Sequence, residues 1–255
     1  MALILVFSFL LGSAIGSFLN VCIYRLPLNI SIISPPSHCP ACKRPIPFYD
    51  NIPILSYILL RGKCRSCNAS ISLQYPLVEF LTGLVALALT LRFVLSPTTV
   101  IYFIFISALL VITFIDLKYQ IIPDVISLPG IGIGLLASLV LPSLSFLDSL
   151  LGILAGGGSL LTISYTYYFL TKREGMGLGD VKLLAMIGAF LGWQGALIGL
   201  ITGAFVGTLA GVLLMVREKR GSQHPIPFGP FLSIGAISFI FFGKEMIMAY
   251  LSLGR

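Results

Sequence analysis

Eight long apolar runs divide this chain, and they leave too little polar sequence to build a water-facing protein. They cover residues 2–24, 73–91, 97–115, 125–141, 147–170, 180–193, 196–216 and 228–253. A bilayer core about 30 Å thick is crossed by roughly 20 helical residues. The runs therefore predict an all-α polytopic membrane protein with about eight transmembrane helices. Only 10% of the 255 residues are charged and 57% are hydrophobic, whereas an average soluble domain carries about 25% charged residues. A large soluble catalytic domain is excluded. β-barrel strands would alternate in polarity over about ten residues, but these runs are continuous and rich in Leu, Ile, Phe, Gly and Ala. The sixth run is the weakest, because it is short, begins at Asp180 and contains Lys182. It reads as a partial or tilted span.

The formal net charge of +7 comes from 16 Lys/Arg against 9 Asp/Glu. With alternate crossings, all of the 16 except Arg92, Lys244 and Arg255 fall on one side. The positive-inside rule assigns that side to the cytoplasm and both termini to the exterior, so the basic balance calls for no nucleic acid. The first run lacks a basic amino-terminal region and is followed by Arg25 rather than a small-residue cleavage site. It is expected to be a retained helix over residues 1–24, not a removed signal.

One sizeable polar segment, residues 25–72, lies on the predicted cytoplasmic side. Pro27, Pro35, Pro36, Pro40, Pro45, Pro47 and Pro53 preclude long helices there, so a small irregular lobe is expected, too small to hold itself together without a staple. Cys39-Pro-Ala-Cys42 and Cys64-Arg-Ser-Cys67 supply one. Each pair turns two sulfurs toward a point, and two pairs complete the tetrahedron that zinc prefers. The 21 intervening residues slightly exceed the usual spacing of about 15–20. Two disulfides are the competing reading, which a reducing cytoplasm disfavours. A closed four-sulfur site has no open position and is structural. His38 could replace a ligand or be an ordinary loop histidine, and Cys22 reads as a small packing residue.

An ionisable group near hydrocarbon is costly and is a functional candidate by default. Glu79, Asp116, Asp124, Asp180 and Glu245 lie at or near runs. Asp116 closes the third run, and Asp180 ends Gly175-Met176-Gly177-Leu178-Gly179-Asp180. Two full spans separate these aspartates, so both return to one membrane face whichever way the protein is oriented. Residues without Cβ, here Gly177 and Gly179, allow close approach of another chain, such as an extended substrate. Two facing carboxylates share one proton; the ionised member activates water while the protonated member polarises a carbonyl. The bland alternative is that each aspartate caps a helix. Asp124, after Pro123 and before an apolar run, fits a cap better, or could position the site. Glu79 is either a buried partner for a basic group or a substrate-binding carboxylate.

The whole pattern resembles the prepilin peptidases, the type IV leader peptidases of bacteria, within the GxGD class of intramembrane aspartic proteases. The resemblance is carried by Gly16-Ser17-Phe18-Leu19-Asn20-Val21, the paired CxxC loop with Asp50-Asn51-Ile52-Pro53 and Leu60-Arg61-Gly62-Lys63-Cys64, and Tyr75-Pro76-Leu77-Val78-Glu79. It continues through Ile115-Asp116, Ile122-Pro123-Asp124, Gly177-Leu178-Gly179-Asp180-Val181-Lys182 and Pro227-Phe228-Gly229-Pro230-Phe231-Leu232. It implies that Asp116 and Asp180 are catalytic, with Asp124, Gly177 and Gly179 supporting, in a peptidase core over residues 73–255. It also implies cleavage of the short basic leader of type IV prepilins and type II secretion pseudopilins after a glycine, at the cytoplasmic face of the bacterial inner membrane. Many members N-methylate the new amino terminus with S-adenosylmethionine, and the four-cysteine loop accompanies the bifunctional ones. No glycine-rich methyltransferase fingerprint occurs in this sequence. A proton- or cation-coupled transporter is the chief rival, but it would show an internal repeat, and the cysteine loop has no later counterpart. Gly156-Gly157-Gly158 reads as a site of close helix packing.

Overall fold

A computed structural model describes residues 1–172, 177–218 and 226–253. Among them the regular structure is helical, apart from isolated bridges pairing His38 with Pro45 and Lys63 with Ser70. The helices are α1 (Ala2–Arg25), α2 (Leu55–Leu59), α3 (Gln74–Phe93), α4 (Pro97–Tyr119), α5 (Asp124–Ala137), α6 (Phe146–Thr171), α7 (Leu178–Glu218) and α8 (Gly229–Leu253). Six are long and apolar enough to cross a membrane, and α5 is a shorter apolar helix. The chain forms two compact units, Met1–Val111 and Ile112–Arg255.

In the first unit α1 and α3 run antiparallel in close contact. Gly12 and Gly16, spaced four apart on one helix face, let the backbones approach as small residues do in membrane helix pairs. A Cβ on Gly12 would lie 2.6 Å from that of Ala86, and one on Gly16 would lie 2.7 Å from Glu79 Cα. The seam carries polar ties at both ends. Thr90 Oγ1 donates to Ser8 Oγ at 3.0 Å, and Asn20 Nδ2 donates to the Tyr75 carbonyl at 3.0 Å. Between α1 and α3 lies the expected irregular lobe, with only short helical turns and α2. Arg25 anchors its start by donating to the carbonyls of Ser31 and Pro35 at 2.9 and 2.7 Å.

In the second unit the glycines of α6 face α7. Gly152 packs against Gly188 and Gly156 against the Leu184 carbonyl, while Gly158 has nothing within 4 Å; two of the three consecutive glycines are thus packing residues. Ser149 Oγ crosses the same seam to the Ala189 carbonyl at 2.7 Å. The sixth and seventh apolar runs are joined in α7, a 41-residue helix interrupted at Gly192 (φ 72°, ψ −179°). A straight helix of that length would span about 60 Å, twice a bilayer core. It turns back instead: Gly199 lies against Ile187, and Gly195 would place a Cβ against Leu191. The left-handed φ at Gly192 suits a residue without Cβ. The second arm then returns along α8, with Gly203 and Gly207 on Phe231 and Gly211 on Ile226. Both arms expected at 180–193 and 196–216 are therefore present, hinged without a loop. The short α5 runs beside the first arm, Gly130 on Met186 and Gly134 on Ala189.

Candidate active site and metal centre

Helix α4 ends just after Asp116. Gln120, with φ of 55°, returns its N–H to the Asp116 carbonyl at 2.9 Å, and Pro123 then opens α5. The Asp116 side chain is 4% exposed and accepts the Gly229 N–H at 3.0 Å. Asp180 is half-buried in the first turn of α7. Ile122 holds the three segments together. A Cβ on Gly179 would lie 3.0 Å from Ile122 Cβ, and one on Gly229 would lie 3.5 Å from Ile122 Cδ1. The aspartates on α4 and α7 thus meet at one end of the unit, as an even number of intervening spans requires.

The two glycines before Asp180 differ in their surroundings, and neither has a left-handed φ. Gly179 is glycine because Ile122 leaves no room. Gly177 is exposed, its would-be Cβ no nearer than 3.9 Å to Asp180 Oδ2, so its face is open to an approaching chain. Gly175 and Met176 of that motif, and His224, lie outside the described residues. Asp124 makes no side-chain cap; both its oxygens lie 2.8 Å from Lys182 Nζ, tying the start of α5 to the start of α7. The sequence reading gave no site role to Lys182, a charge in the sixth run, or to Gly229, part of the Pro227–Leu232 motif. Their signals were available: Lys182 stands two residues beyond Asp180, and Gly229 lies between Pro227 and Pro230, where a backbone must be held in place.

In the lobe, Cys39, Cys42, Cys64 and Cys67 bring their sulfurs within 4.8 Å of one another. The Cys39 and Cys67 sulfurs are 3.8 Å apart, too far for a disulfide and close to the edge of about 3.8 Å of a tetrahedron with Zn–S bonds of about 2.3 Å. The two knuckles are built alike. Cys39 N–H donates to the Arg44 carbonyl and Lys43 N–H to the Cys39 carbonyl; Cys64 N–H donates to Ala69 and Asn68 N–H to Cys64 in the same way, all at 2.9 Å. Lys43 and Asn68 take φ of 60° and 57°, turning each chain back after its second cysteine. The Cys42 N–H pulls the Cys39 thiol down to about 6. Cys67 accepts the Ala69 N–H, yet burial and the other three sulfurs push it up to about 11. Such a cluster cannot hold four thiolates without a cation, so the donor set fits a closed zinc site. His38 instead bonds the Pro36 carbonyl through Nδ1 at 3.1 Å and is outside the ligand group.

The lobe is clipped to the helices below it. Arg65 makes a two-bond fork to Asp50, 2.8 and 2.6 Å long, beneath the Tyr49 ring, and its guanidinium holds the Asp50 carboxyl below the usual carboxylate range. Glu79, 8% exposed, accepts the Ile54 N–H at 2.7 Å. A basic partner was one expectation for Glu79; no Lys or Arg pairs with it among the described residues, and its carboxylate is held by this amide. Cys22 is buried and free, in keeping with a packing role.

Residues 10–93 match the bacterial peptidase A24 N-terminal domain, and residues 103–212 match the type IV leader peptidase family. A prepilin leader peptidase/N-methyltransferase of Aeromonas hydrophila is 37% identical over 96% of this chain and 92% of its own. One from Stutzerimonas stutzeri is 34% identical over 96% and 93%, and one from Pseudomonas aeruginosa 35% over 95% and 91%. No solved structure matches the chain.

Proposed function

The chain belongs to the prepilin leader peptidase/N-methyltransferase family, and from that premise we propose that it cleaves the basic leader of prepilins after a glycine and N-methylates the exposed amino terminus. Type IV prepilins and type II secretion pseudopilins are its substrates. The observation that carries the peptidase reading is the meeting of Asp116 and Asp180 at one end of the second unit, with Ile122 packed against both neighbouring glycines. Two carboxylates so placed hold one proton between them; one draws a proton from water as the other donates to the scissile carbonyl. Asp116 is fixed by the Gly229 amide, while Gly177 leaves the face beside Asp180 open to an extended chain. Asp124 supports the pair through Lys182.

The positive-inside rule orients this end and the cysteine lobe to the cytoplasm of a multi-pass inner-membrane protein. A leader bearing Lys/Arg beside an apolar helix lies with its junction at that interface, in contact with lipid. Residues 25–72 form the metal lobe and 73–255 the peptidase core. Cys39, Cys42, Cys64 and Cys67 would hold zinc, which supplies structure rather than a reactive water. S-adenosylmethionine is the methyl donor that the second activity calls for. The transporter reading has no observation behind it.

The test is a mass-spectrometric cleavage assay with purified protein, a peptide spanning the leader junction and S-adenosylmethionine. Wild type should cleave after the leader glycine and add one methyl group, whereas Asp116→Asn and Asp180→Asn should insert normally and not cleave. Cleavage by both variants removes the pair from the mechanism.

A further inference from the structure

We infer that residues 48–59 of the cysteine lobe form a lipid-docking arm: their apolar side chains enter the bilayer leaflet beside α1 and α3, and Arg61 and Lys63 take anionic headgroups. Such an arm goes beyond both proposed activities and depends on neither. Hydropathy alone leaves this stretch within the polar segment 25–72.

Depth is the first observation. The middle of the lobe reaches down alongside the helices rather than resting on their ends. Ser17 lies eight residues before the last residue of α1, about 12 Å along the axis, and its hydroxyl donates to Asn51 Oδ1 at 3.5 Å. Glu79 lies five residues beyond the first residue of α3, about 7.5 Å along its axis, and accepts the Ile54 N–H at 2.7 Å. Both helices are long and apolar enough to cross a membrane, so residues 51–54 stand beside spanning segments at a level below their ends.

Polarity is the second observation, and it is inverted relative to a water-facing lobe. Phe48 is 87% exposed, Leu59 71% and Ile58 62%, and Ile52 and Leu55 are exposed with them. The polar groups of Asp50, Ser56 and Tyr57 turn inward instead. Asp50, the one charged residue of the stretch, has a side chain only 7% exposed and taken up by the Arg65 fork. Ser56 Oγ donates to the Tyr49 carbonyl at 3.1 Å, and the Tyr57 hydroxyl to the Ile71 carbonyl at 3.4 Å. The backbone is satisfied as well: the N–H groups of Asp50, Ile52, Ile54, Ser56 and Ile58 all have acceptors, as a chain leaving water requires.

Charge identifies the partner. Arg61 and Lys63 follow α2, and the turn that carries them is folded onto its end by bonds from the Arg61 N–H to the Ile58 carbonyl at 3.0 Å and from the Gly62 N–H to the Tyr57 carbonyl at 2.9 Å. Both cations are exposed, and neither has an acidic partner among the described residues. An apolar face edged by free cations suits an anionic lipid surface, where apolar side chains sink about 5–10 Å into the headgroup boundary and each cation adds its own attraction.

The experiment uses the full chain in vesicles of phosphatidylcholine and phosphatidylglycerol. Trp193, the one tryptophan, is removed by Trp193→Phe, and a fluorescent reporter is introduced by Leu59→Trp or, separately, by Phe48→Trp; an unchanged unfolding midpoint checks the fold. Expected are strong quenching of both reporters by lipid brominated high on its chains and loss of quenching by aqueous iodide. With bromine on one lipid at a time, the reporters should prefer phosphatidylglycerol, and Arg61→Gln should lower that preference about fivefold, the worth of one cation at a charged leaflet. Iodide quenching as full as that of a free tryptophan peptide overturns the arm, because both side chains then stand in water. Protection from iodide without quenching by brominated lipid also overturns it, because protein rather than lipid then covers the face. Equal quenching by the two brominated lipids overturns the assignment of headgroups to Arg61 and Lys63.

Discussion

Replacing Gly229 by alanine tests whether the start of α8 sets the position of Asp116. The new Cβ would lie 2.7 Å from Asp116 Oδ2 and 3.5 Å from Ile122 Cδ1. Carbon contacts relax at about 3.5 Å or beyond, so the carboxylate must retreat by most of an ångström. Asp116 is 4% exposed, and its bond to the Gly229 N–H is already 3.0 Å long, so retreat breaks the one amide that orients it. A displacement near 1 Å in a reacting group can cost about 10²-fold in rate, and overpacking destabilises by about 1–3 kcal/mol. The expected result is a kcat for leader cleavage about 10²-fold lower with KM little changed, read from a mass-spectrometric time course at saturating peptide. Gly132→Ala is the control, since nothing lies within 4 Å of its would-be Cβ; it should cleave as wild type does. Gly229→Ala cleaving at the wild-type rate would refute the idea that this backbone contact fixes the aspartate.

The Lys182–Asp124 pair is partly exposed, 33% and 56%, so as a surface ion pair it is worth under about 1 kcal/mol of stability. A larger effect on cleavage from Lys182→Ala, with partial recovery in the swapped Lys182→Asp, Asp124→Lys protein, marks a positioning role; equal small losses in both measurements count against one. Cys64→Ser should abolish stoichiometric zinc and expose residues 37–70 to protease, as metal analysis and limited digestion of reduced protein would register; full zinc content would exclude a four-sulfur site. Because Arg65 lowers the Asp50 carboxyl, the stabilisation from that pair is complete above the ordinary carboxylate value of about 3.9 and lost only as pH falls through the depressed folded value. A carbon NMR titration of Asp50 should therefore show a midpoint below about 3.9 that returns to normal in Arg65→Ala, and an unchanged midpoint would deny the fork any role.

Hydropathy and spacing disclosed the parts whose physics is local or set by parity. Helix runs follow from bilayer thickness, the knuckles from CxxC spacing, and the shared end of Asp116 and Asp180 from the even number of spans between them. What stayed hidden depends on contacts between distant segments. Gly229 has no role of its own within its Pro227–Leu232 motif until its amide is found on Asp116. Glu79 reads as a partner for a basic group or as a substrate-binding carboxylate until its side chain is found on the Ile54 amide. Asp124 reads as a cap because proline precedes it, yet an ammonium from α7 outcompetes the local backbone for its oxygens. Gly192 carries the same lesson for topology. A run of apolar residues from 180 to 216 is equally compatible with one overlong helix and with two spans, and only the pairing of Ile187 with Gly199 shows that the chain turns back. By returning the second arm of α7 along α8, that turn places the Gly229 end of α8 beside Asp116, so a single left-handed glycine at the far end of the arm that begins with Asp180 helps fix the geometry on which the proposed chemistry rests.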